Sequence, residues 1–464
     1  MGVDFNNIKR VYFLGIGGIG MSALARYFKA TGKDVAGFDR TQTPLTRELI
    51  NSGISIHYSD EKGLIPADYL NKEDTLVVVT PAIPGDHKEL AYFKNNNFRL
   101  FKRSEILGYI AGQKYNIAVS GTHGKTTVST MIAHIMNQSA YGCSAFLGGI
   151  SKNFKSNLIY NEKSNYIITE ADEFDRSFLR LYPQLTVITA MDADHLDIYG
   201  SRDELVRTFS QFANQTRKGG KILVKKGLKP DLKYDYENYT YTLTEKADFY
   251  ATNITLNRGI YSFEVITPTS IIKNMSLNHP GIVNVENAVA ATAVSCLIGI
   301  DEENIRSALR TFNGISRRFD IILQTEELTY IDDYAHHPKE LSAVINSVKK
   351  LYPGKKVTGI FQPHLYSRTR DFAGEFAESL DTLDDLILLD IYPARELPVK
   401  NITSKIIYDK VKLADKMLCS KNELTGILKD RKIEVLLTMG AGDIDQLVKP
   451  IKTMLSEKLK KGGK

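Results

Sequence analysis

The chain of 464 residues has only three cysteines, and their positions argue against several classes of protein. Cys143, Cys296 and Cys419 lie far apart and form neither a CxxC pair nor a Cys/His metal-binding spacing. This pattern is not that of a disulfide-rich secreted domain or of a structural zinc site. We expect free thiols in a reducing compartment.

The chain also lacks a segment typical of export or membrane insertion. The first ten residues, MGVDFNNIKR, contain no apolar core of the kind found in signal peptides. The longest run of low polarity, Ala288 to Ile300, is shorter than the ~20 residues that a membrane helix needs. We expect a cytoplasmic protein without membrane insertion.

Charge and aromatic patterns give no sign of a nucleic-acid partner. The 60 basic and 54 acidic residues leave a net charge of +6, and the excess is dispersed. The basic cluster at 458–464 is typical of a solvated tail. No base-stacking aromatic pattern and no Ser-His-Asp set stands out. We expect a small-molecule enzyme, as a monomer or a weak homodimer.

Apolar strands alternate with helical patterns along the whole chain, which predicts an α/β fold of three domains. We place these domains at 1–111, 112–313 and 314–464. Between Lys221 and Met275 the apolar pattern has a period of two, as in 261–265, which predicts antiparallel hairpins on one flank of the central domain. A helix from Val285 to Ile298, with Asn284 as its N-cap, closes that domain.

The run from Val119 to Thr127, VSGTHGKTT, is the most specific motif of the chain. It follows an apolar strand and opens a helix, so backbone N–H groups and the helix dipole can bind a phosphate chain. Lys125 can then reach the outer phosphates, and the Thr126 hydroxyl can reach Mg²⁺. Val119 stands where the strict pattern has glycine, so this is a shortened variant. The alternative is an ordinary glycine turn that caps a helix.

A second glycine-rich turn, with Gly15, Gly17 and Gly20, also joins a strand to a helix, and Asp39 follows at the end of the next strand. This is the fingerprint of dinucleotide-binding proteins. Its physical basis is less specific, because glycines let a backbone approach any diphosphate. NAD, FAD, a UDP-sugar and a plain tight turn all remain open.

Two acidic segments follow strands of the central domain, at the edge where open α/β sheets bind ligands. Glu170 begins the first, and its carboxylate suits Mg²⁺, which prefers oxygen ligands. His195 lies in the second, Asp192-Ala193-Asp194-His195-Leu196-Asp197, and this acidic context favours a metal ligand over a structural histidine.

Two further polar segments follow strands of the third domain. The adjacent pair His336 and His337 is poorly suited to one metal ion, so we expect a polar pocket wall there. His364 and Arg368, within 361–370, suit a carboxylate or phosphate ligand, with surface salt bridges as the alternative.

Together and in this order, these motifs resemble those of the Mur ligases over essentially the whole chain. The resemblance also includes 284–288, 317–319 and 390–394. It implies a Rossmann-like domain that binds a UDP-linked substrate, a central P-loop ATPase domain and a C-terminal Rossmann-like domain. The implied activity is ATP-dependent joining of L-alanine to the lactyl carboxylate of UDP-N-acetylmuramate in peptidoglycan precursor synthesis, with two Mg²⁺ ions.

The resemblance also implies roles for individual residues. The implied catalytic residues are Lys125, Glu170, His195 and His337, and the implied metal ligands are Thr126, Glu170 and His195. ATP would contact Gly121, Thr122, His123, Gly124, Lys125, Thr126, Thr127, Asn287, Arg318 and Asp333. The UDP-linked substrate would contact Gly15, Gly17, Gly18, Ile19, Gly20, Met21, Ser22, Asp39, Thr80 and Ala82. The amino acid would lie near His364 and Arg368.

Three positions depart from patterns common in the family. Ser210 stands where many sibling ligases carry a carbamoylated lysine, which favours the alanine-adding branch. Leu365 replaces an arginine, and Val283 a histidine. A relative that adds a recycled tripeptide to the same sugar acid is the second interpretation. A nicotinamide oxidoreductase and a non-catalytic nucleotide sensor are rivals from other classes.

The first glycine turn yields a prediction that separates these interpretations. We expect UDP-N-acetylmuramate to bind the N-terminal domain, and NAD and NADP not to bind at millimolar concentrations, because a separate ATP site makes an adenine dinucleotide redundant. Gly17→Val should weaken the sugar nucleotide and spare ATP. Calorimetry measures all three affinities, and tight NAD binding without UDP-sugar binding would contradict the ligase interpretation.

Overall fold

The computed structural model describes residues 7–192, 196–394 and 396–462, which form three sheets flanked by helices. The predicted α/β fold of three domains is confirmed. The sheets follow one another along the chain, and each is built from a consecutive set of strands.

The first sheet has five parallel strands in the order β3-β2-β1-β4-β5. Because the strands are parallel, the turns after β1, β2 and β4 all leave the same edge of the sheet. The strands are β1 (Arg10–Leu14), β2 (Asp34–Phe38), β3 (Ser55–His57), β4 (Thr75–Val79) and β5 (Leu100–Lys102). The helices are α1 (Ile19–Ala30), α2 (Pro44–Asn51), α3 (Lys88–Asn95) and α4 (Arg103–Gly112).

The second sheet has ten strands in the order β15-β14-β13-β12-β11-β10-β6-β9-β7-β8. Its strands are β6 (Tyr115–Ser120), β7 (Ser144–Ser151), β8 (Ser156–Ile159), β9 (Tyr166–Ala171), β10 (Leu185–Ile188), β11 (Lys221–Lys225), β12 (Glu237–Thr242), β13 (Phe249–Asn257), β14 (Ile260–Ile266) and β15 (Ile271–Leu277). The helices are α5 (Lys125–Asn137), α6 (Leu196–Tyr199), α7 (Arg202–Ala213), α8 (Ile282–Leu297) and α9 (Glu302–Arg310).

The prediction of antiparallel hairpins in 221–275 is wrong for the first part of that segment. β11 pairs in parallel with both β10 and β12, and β12 pairs in parallel with β13. A period of two shows that one face of a strand is buried, but it does not fix the direction of the neighbouring strand. Only β13, β14 and β15 are neighbours joined by turns short enough for hairpins.

The start of α8 also differs from the prediction. The helix begins at Ile282, so Asn284 lies in its first turn and is not its N-cap. The Asn284 amide donates to the carbonyl of Pro280. The polar side chain therefore binds backbone at the helix start from a position inside the helix.

The third sheet has six strands in the order β16-β17-β21-β18-β19-β20, parallel except for β16 at the edge. Its strands are β16 (Asp320–Gln324), β17 (Thr329–Asp333), β18 (Val357–Phe361), β19 (Asp385–Leu389), β20 (Lys416–Cys419) and β21 (Val435–Met439). The helices are α10 (Pro338–Leu351), α11 (Tyr366–Asp371), α12 (Ala373–Leu380), α13 (Lys405–Tyr408), α14 (Lys421–Asp430) and α15 (Val448–Gly462).

By compactness the chain divides into two units. One comprises the chain up to Thr252 with Glu264–Met275 and Asn287–Thr311, and the other comprises Asn253–Phe263, Ser276–Glu286 and the chain from Phe312 onward. The first two sheets thus belong mainly to one unit. None of the helices that the structure describes is long and apolar enough to cross a membrane.

One continuous apolar core joins the first two sheets. On α1, the ring of Tyr27 packs against Phe146 at 5.4 Å and against Tyr160 at 5.7 Å between centroids. The buried Asn157 amide donates to Ile19 O at 2.6 Å and to Ser22 Oγ at 2.9 Å. The glycine turn before α1 is therefore held firmly against the second sheet.

Candidate active site

The phosphate-loop motif forms a tight turn between β6 and α5 that requires glycine at two positions. Gly121 has φ +134° and Gly124 has φ +84°, which are conformations that other residues rarely adopt. A Cβ atom on Gly121 would collide with Thr189 Oγ1 and lie 2.6 Å from Ala190 N. A Cβ atom on Gly124 would lie 3.0 Å from Asn287 Oδ1, so Asn287 borders the loop as the family resemblance implies.

The segment after β10 holds this loop in place. Thr189 Oγ1 lies 3.0 Å from Ser120 O and also reaches His123 O. Thr122 N donates to Ala190 O at 3.2 Å, and its hydroxyl accepts from Asp192 N at 3.1 Å. The loop is therefore fixed before any ligand binds.

Lys125, the first residue of α5, is paired with a buried carboxylate. Its Nζ donates to Glu173 Oε1 at 3.0 Å, lies 2.8 Å from Glu173 Oε2 and donates to Gly121 O at 2.7 Å. The Glu173 side chain is only 1% exposed. Burial alone would lower the pKa of Lys125, but the carboxylates of Glu173, Asp172 and Glu170 raise it above its usual value. Lys125 is therefore a fixed positive charge at the loop.

Thr126 and Glu170, both predicted as metal ligands, lie next to each other. Thr126 Oγ1 donates to Glu170 Oε1 at 3.0 Å, and Gly148 N donates to Glu170 Oε2 at 2.8 Å. Glu170 lies near the end of β9, and Thr126 follows the neighbouring parallel strand β6, so both come to the same edge of the sheet. A hydroxyl and a carboxylate are the hard oxygen donors that Mg²⁺ prefers, so this pair fits the implied ion.

The third predicted metal ligand, His195, lies outside the described residues. In 7–192, 196–394 and 396–462 no group of three or more His, Cys, Asp or Glu side chains is arranged to hold a metal ion. Close to the loop, His123 Nε2 lies 3.7 Å from Asp192 Oδ2. Of the metal ligands implied by the resemblance, the structure brings together Thr126 and Glu170.

The first glycine turn is organised around Asp39. Gly17 N donates to Asp39 Oδ2 at 2.7 Å, and Thr41 N donates to Asp39 Oδ1 at 3.0 Å. Gly15 N donates to the backbone of Phe38 at 2.8 Å, and Thr80 packs against Gly15. Within this structure, the Asp39 carboxylate holds the turn itself.

The other predicted contacts of this turn differ in accessibility. Gly18, Ile19 and Ala82 are exposed, whereas Met21 and Ser22 are buried in the core that joins the first two sheets. The side chains of Met21 and Ser22 therefore stabilise the turn from its core side and do not face solvent.

In the C-terminal domain, Asp333 is buried at the end of β17, where its carboxylate links the backbone of two nearby segments. It accepts from Phe319 N and from Ala335 N, both at 2.7 Å. Burial raises the pKa of Asp333 to about 6, although the Arg318 charge lowers it. The Arg318 guanidinium lies 4.9 Å from the ring centre of Tyr334. Arg318 and Asp333 thus belong to one local cluster.

The histidines of this domain point in different directions. His337 is the N-cap of α10, and its ring lies 5.1 Å from that of Phe372. His336 instead lies 6.0 Å from the His364 ring, and Nη1 of the buried Arg368 lies 3.4 Å from His364 Nδ1. The two adjacent histidines therefore contact different side chains.

Leu365, one of the departures from the family pattern, has an unusual backbone. Its φ is +69°, and its N–H donates to Tyr392 O at 2.9 Å. The His364 ring stacks on the Tyr392 ring at 5.8 Å between centroids. The pairing with Tyr392 therefore positions His364 and the turn into α11.

Sequence reasoning did not assign two residues that shape the site. Glu173 lies in the acidic segment that begins with Glu170, and neither Glu173 nor Thr189 receives a role from the sequence. The repeated acidic residues after β9 were a signal for Glu173. Thr189 carries no local signal, because its role depends on the pairing of β10 with β6.

Comparisons with known proteins cover nearly the whole chain. The profile of the "Mur ligase family, catalytic domain" matches residues 10–115. The "Mur ligase middle domain" matches residues 119–295, and the "Mur ligase, glutamate ligase domain" matches residues 317–442.

Full-length relatives agree with these profiles. The chain is 50% identical to UDP-N-acetylmuramate–L-alanine ligase of Parabacteroides distasonis over 461 residues, covering 99% of this chain and 100% of the relative. It is 48% identical to the protein of that name from Porphyromonas gingivalis over 452 residues, or 97% of this chain and 99% of the relative.

Two solved structures are similar as well. The crystal structure of UDP-N-acetylmuramate-alanine ligase MurC from Thermotoga maritima superposes with a TM-score of 0.82 at 27% identity, covering 97% and 99% of the two chains. A murein peptide ligase from Psychrobacter arcticus has a TM-score of 0.71 at 21% identity, covering 96% and 98%, and it shares the fold.

The buried Asp333 yields a pH prediction. Its pKa of about 6 in the folded state lies above the ~3.9 of an unfolded chain, so folding favours the protonated form. Its contribution to stability therefore falls as the pH rises from about 4 to 6, by roughly 2–3 kcal/mol. Relative to Asp333→Asn, the wild-type melting temperature should fall across that window, as measured by circular dichroism. An unchanged difference, or the same trend in the exposed control Asp430→Asn, would contradict this prediction.

Proposed function

The chain belongs to the Mur ligase family, and we propose that it is an ATP-dependent ligase that joins L-alanine to the lactyl carboxylate of UDP-N-acetylmuramate. The observation that carries this proposal is the full-length identity of 50% with a ligase of that name. The paired Thr126 and Glu170 beside the Lys125 loop support it with a site suited to phosphoryl transfer.

The phosphate loop would bind ATP. Backbone N–H groups of 121–124 and the start of α5 can hold the phosphates, and the charged Lys125 can neutralise the outer ones. Asn287 borders the loop and suits the nucleotide. Arg318 and Asp333 are the proposed nucleotide contacts of the C-terminal domain.

Thr126 and Glu170 would hold Mg²⁺, and His195 is a third proposed ligand. We propose that two Mg²⁺ ions bind in total. When bound, the ion withdraws charge from the phosphates during phosphoryl transfer. Lys125 supplies fixed positive charge beside the same phosphates. Glu173, which holds Lys125 in this structure, must then share the ammonium group with the phosphate.

The turn after β1 would bind the diphosphate of the UDP-linked substrate. The exposed Gly18 and Ile19 lie at the start of α1, whose dipole favours an anion. Asp39 fixes the turn and Thr80 packs against Gly15, and Thr80 and Ala82 are the further proposed contacts of this substrate. His337, His364 and Arg368 would lie on the side of the sugar acid and the incoming amino acid.

The proposed reaction has two steps. The lactyl carboxylate attacks the γ-phosphorus of ATP, which forms an acyl phosphate and releases ADP. The deprotonated amine of L-alanine then attacks the acyl carbon, and inorganic phosphate leaves as the amide forms. Positioning and charge neutralisation supply most of the catalysis, and closure of the domains would protect the acyl phosphate from water.

We propose a cytoplasmic location, where both nucleotides are available, and a role in peptidoglycan precursor synthesis. The proposed domains are 1–111 for the UDP-linked substrate, 112–313 for ATP and 314–464 for the amino-acid side. The fold shared with the murein peptide ligase keeps the tripeptide-adding activity as the second candidate.

Release of phosphate tests the proposal directly. It should require ATP, Mg²⁺, UDP-N-acetylmuramate and L-alanine together, as measured with a coupled phosphate assay. Faster turnover with the murein tripeptide in place of L-alanine would favour the second candidate. Phosphate release in the absence of the sugar acid, or in the absence of the amine substrate, would contradict both candidate functions.

Lys125→Ala should slow turnover by on the order of 10²–10³-fold, because it removes the cation nearest the transferred phosphoryl group. The steady-state rate of phosphate release measures this loss. The matched control is Lys218→Ala, which removes an exposed charge of the same sign. Equal rates in the Lys125→Ala variant and in this control would rule out the assignment of the phosphate loop.

Glu170→Ala should raise the Mg²⁺ concentration needed for half-maximal activity and slow the reaction, because it removes an anionic ligand. A Mg²⁺ titration of the rate measures both effects, and circular dichroism checks the fold. The exposed Glu162→Ala serves as the control. A normal Mg²⁺ requirement in a folded Glu170→Ala variant would refute the role in metal binding.

A further inference from the structure

Arg103, the first residue of α4, packs directly against the first turn of α1, at the last glycine of the glycine motif. A Cβ atom on Gly20 would lie 2.8 Å from Arg103 Cδ and 3.1 Å from its Nη1. Gly20 is therefore the glycine that leaves room for this arginine. The sequence pattern alone attributes Gly20 to the approach of a diphosphate, and it singles out no role for Arg103.

The guanidinium of Arg103 faces the acidic turn after β9. Its Nη2 lies 3.9 Å from Asp172 Oδ2, which is beyond hydrogen-bond distance, and the side chain is 23% exposed. It has no hydrogen bond to any residue in 7–192, 196–394 or 396–462. The guanidinium of Arg103 is mostly buried and has five N–H donors, none of which is used within the described residues. It is therefore available to bind an external acceptor.

The surroundings of Arg103 indicate the nature of this acceptor. Arg103, Ser104, Glu170 and Asp172 border the same small cleft. The carboxylates of Glu170 and Asp172 would repel an incoming anion, and a cation between them and the glycine turn offsets this repulsion. A planar guanidinium binds a carboxylate through two parallel hydrogen bonds.

We propose that Arg103 binds the carboxylate of the sugar-nucleotide acid and holds it at the phosphate-loop edge, where it attacks ATP. This inference rests on the proposed function. Backbone N–H groups and the start of α1 would already bind the diphosphate. Arg103 instead packs its Cδ and Nη1 against Gly20 and turns its Nη2 toward Asp172, two residues after Glu170. Once the carboxylate becomes an amide, its charge is lost, and Arg103 binds the product less tightly than the acid.

The test compares a ligand that has the carboxylate with two that lack it. Calorimetry measures the affinities of UDP-N-acetylmuramate, UDP-N-acetylglucosamine, UDP and ATP for the full chain, as wild type, as the Arg103→Met and Arg103→Lys variants and as a control variant. The control is Lys102→Met, which removes a neighbouring charge that is 63% exposed and 3.9 Å from Asp175. Methionine keeps the apolar stem that packs on Gly20.

Arg103→Met should weaken UDP-N-acetylmuramate about 10- to 100-fold, in line with a lost charge-assisted hydrogen-bonded pair. UDP-N-acetylglucosamine, UDP and ATP should change less than about threefold, as should every ligand with Lys102→Met. Arg103→Lys should lie between wild type and Arg103→Met, because it keeps the charge without the bidentate geometry. The KM for the sugar acid should rise in parallel, and the KM for ATP should not.

Three outcomes would overturn the proposal. Equal losses for the sugar acid and UDP would place Arg103 on the diphosphate. Unchanged affinity for the sugar acid would exclude contact with it. Weaker ATP binding together with a lower melting temperature than the control would show a structural role. Failure of the proposed function would instead appear in the wild type, as binding of the sugar acid without formation of an amide.

Discussion

The parallel pairing of β6 with β9 and β10 is the constraint on which the candidate site depends. In this register Val119 lies opposite Glu170, and Ser120 lies opposite both Ala171 and Ile188. The loop after Ser120 therefore leaves the sheet beside Glu170 and beside the segment that begins with Thr189. A slip of one residue would turn Glu170 to the other face of the sheet and separate it from Thr126.

The electrostatics of the site follow from this register. The end of β9 and the acidic turn after it bring the carboxylates of Glu170, Asp172 and Glu173 to the edge where the phosphate loop begins, and two cations approach from different elements. Lys125 pairs with the most buried carboxylate, Glu173, whereas Arg103 comes from α4 and stays beyond hydrogen-bond distance of Asp172. An anionic ligand thus meets one cation that is already paired and one whose donors are available.

The shared core of the first two sheets makes this arrangement possible. Aromatic contacts of Tyr27 and the hydrogen bonds of Asn157 fix α1 against β7 and β8. Because close packing leaves little freedom for small shifts, the glycine turn, Arg103 and the acidic turn keep defined distances. This rigidity suits a reaction that depends on positioning a carboxylate against a phosphoryl group.

Local chemistry let the sequence alone determine the strand–turn–helix units, both glycine turns, and Lys125, Thr126 and Glu170 as candidate residues. These features depend on backbone conformation and residue type, which short segments of the sequence determine. Strand direction in 221–242, the pairing of Lys125 with Glu173, the support from Thr189 and the placement of Arg103 beside Gly20 were decided only by the tertiary structure. Each of these depends on residues distant along the chain, and a period of two or a lone arginine carries no information about which distant neighbour will pack against it.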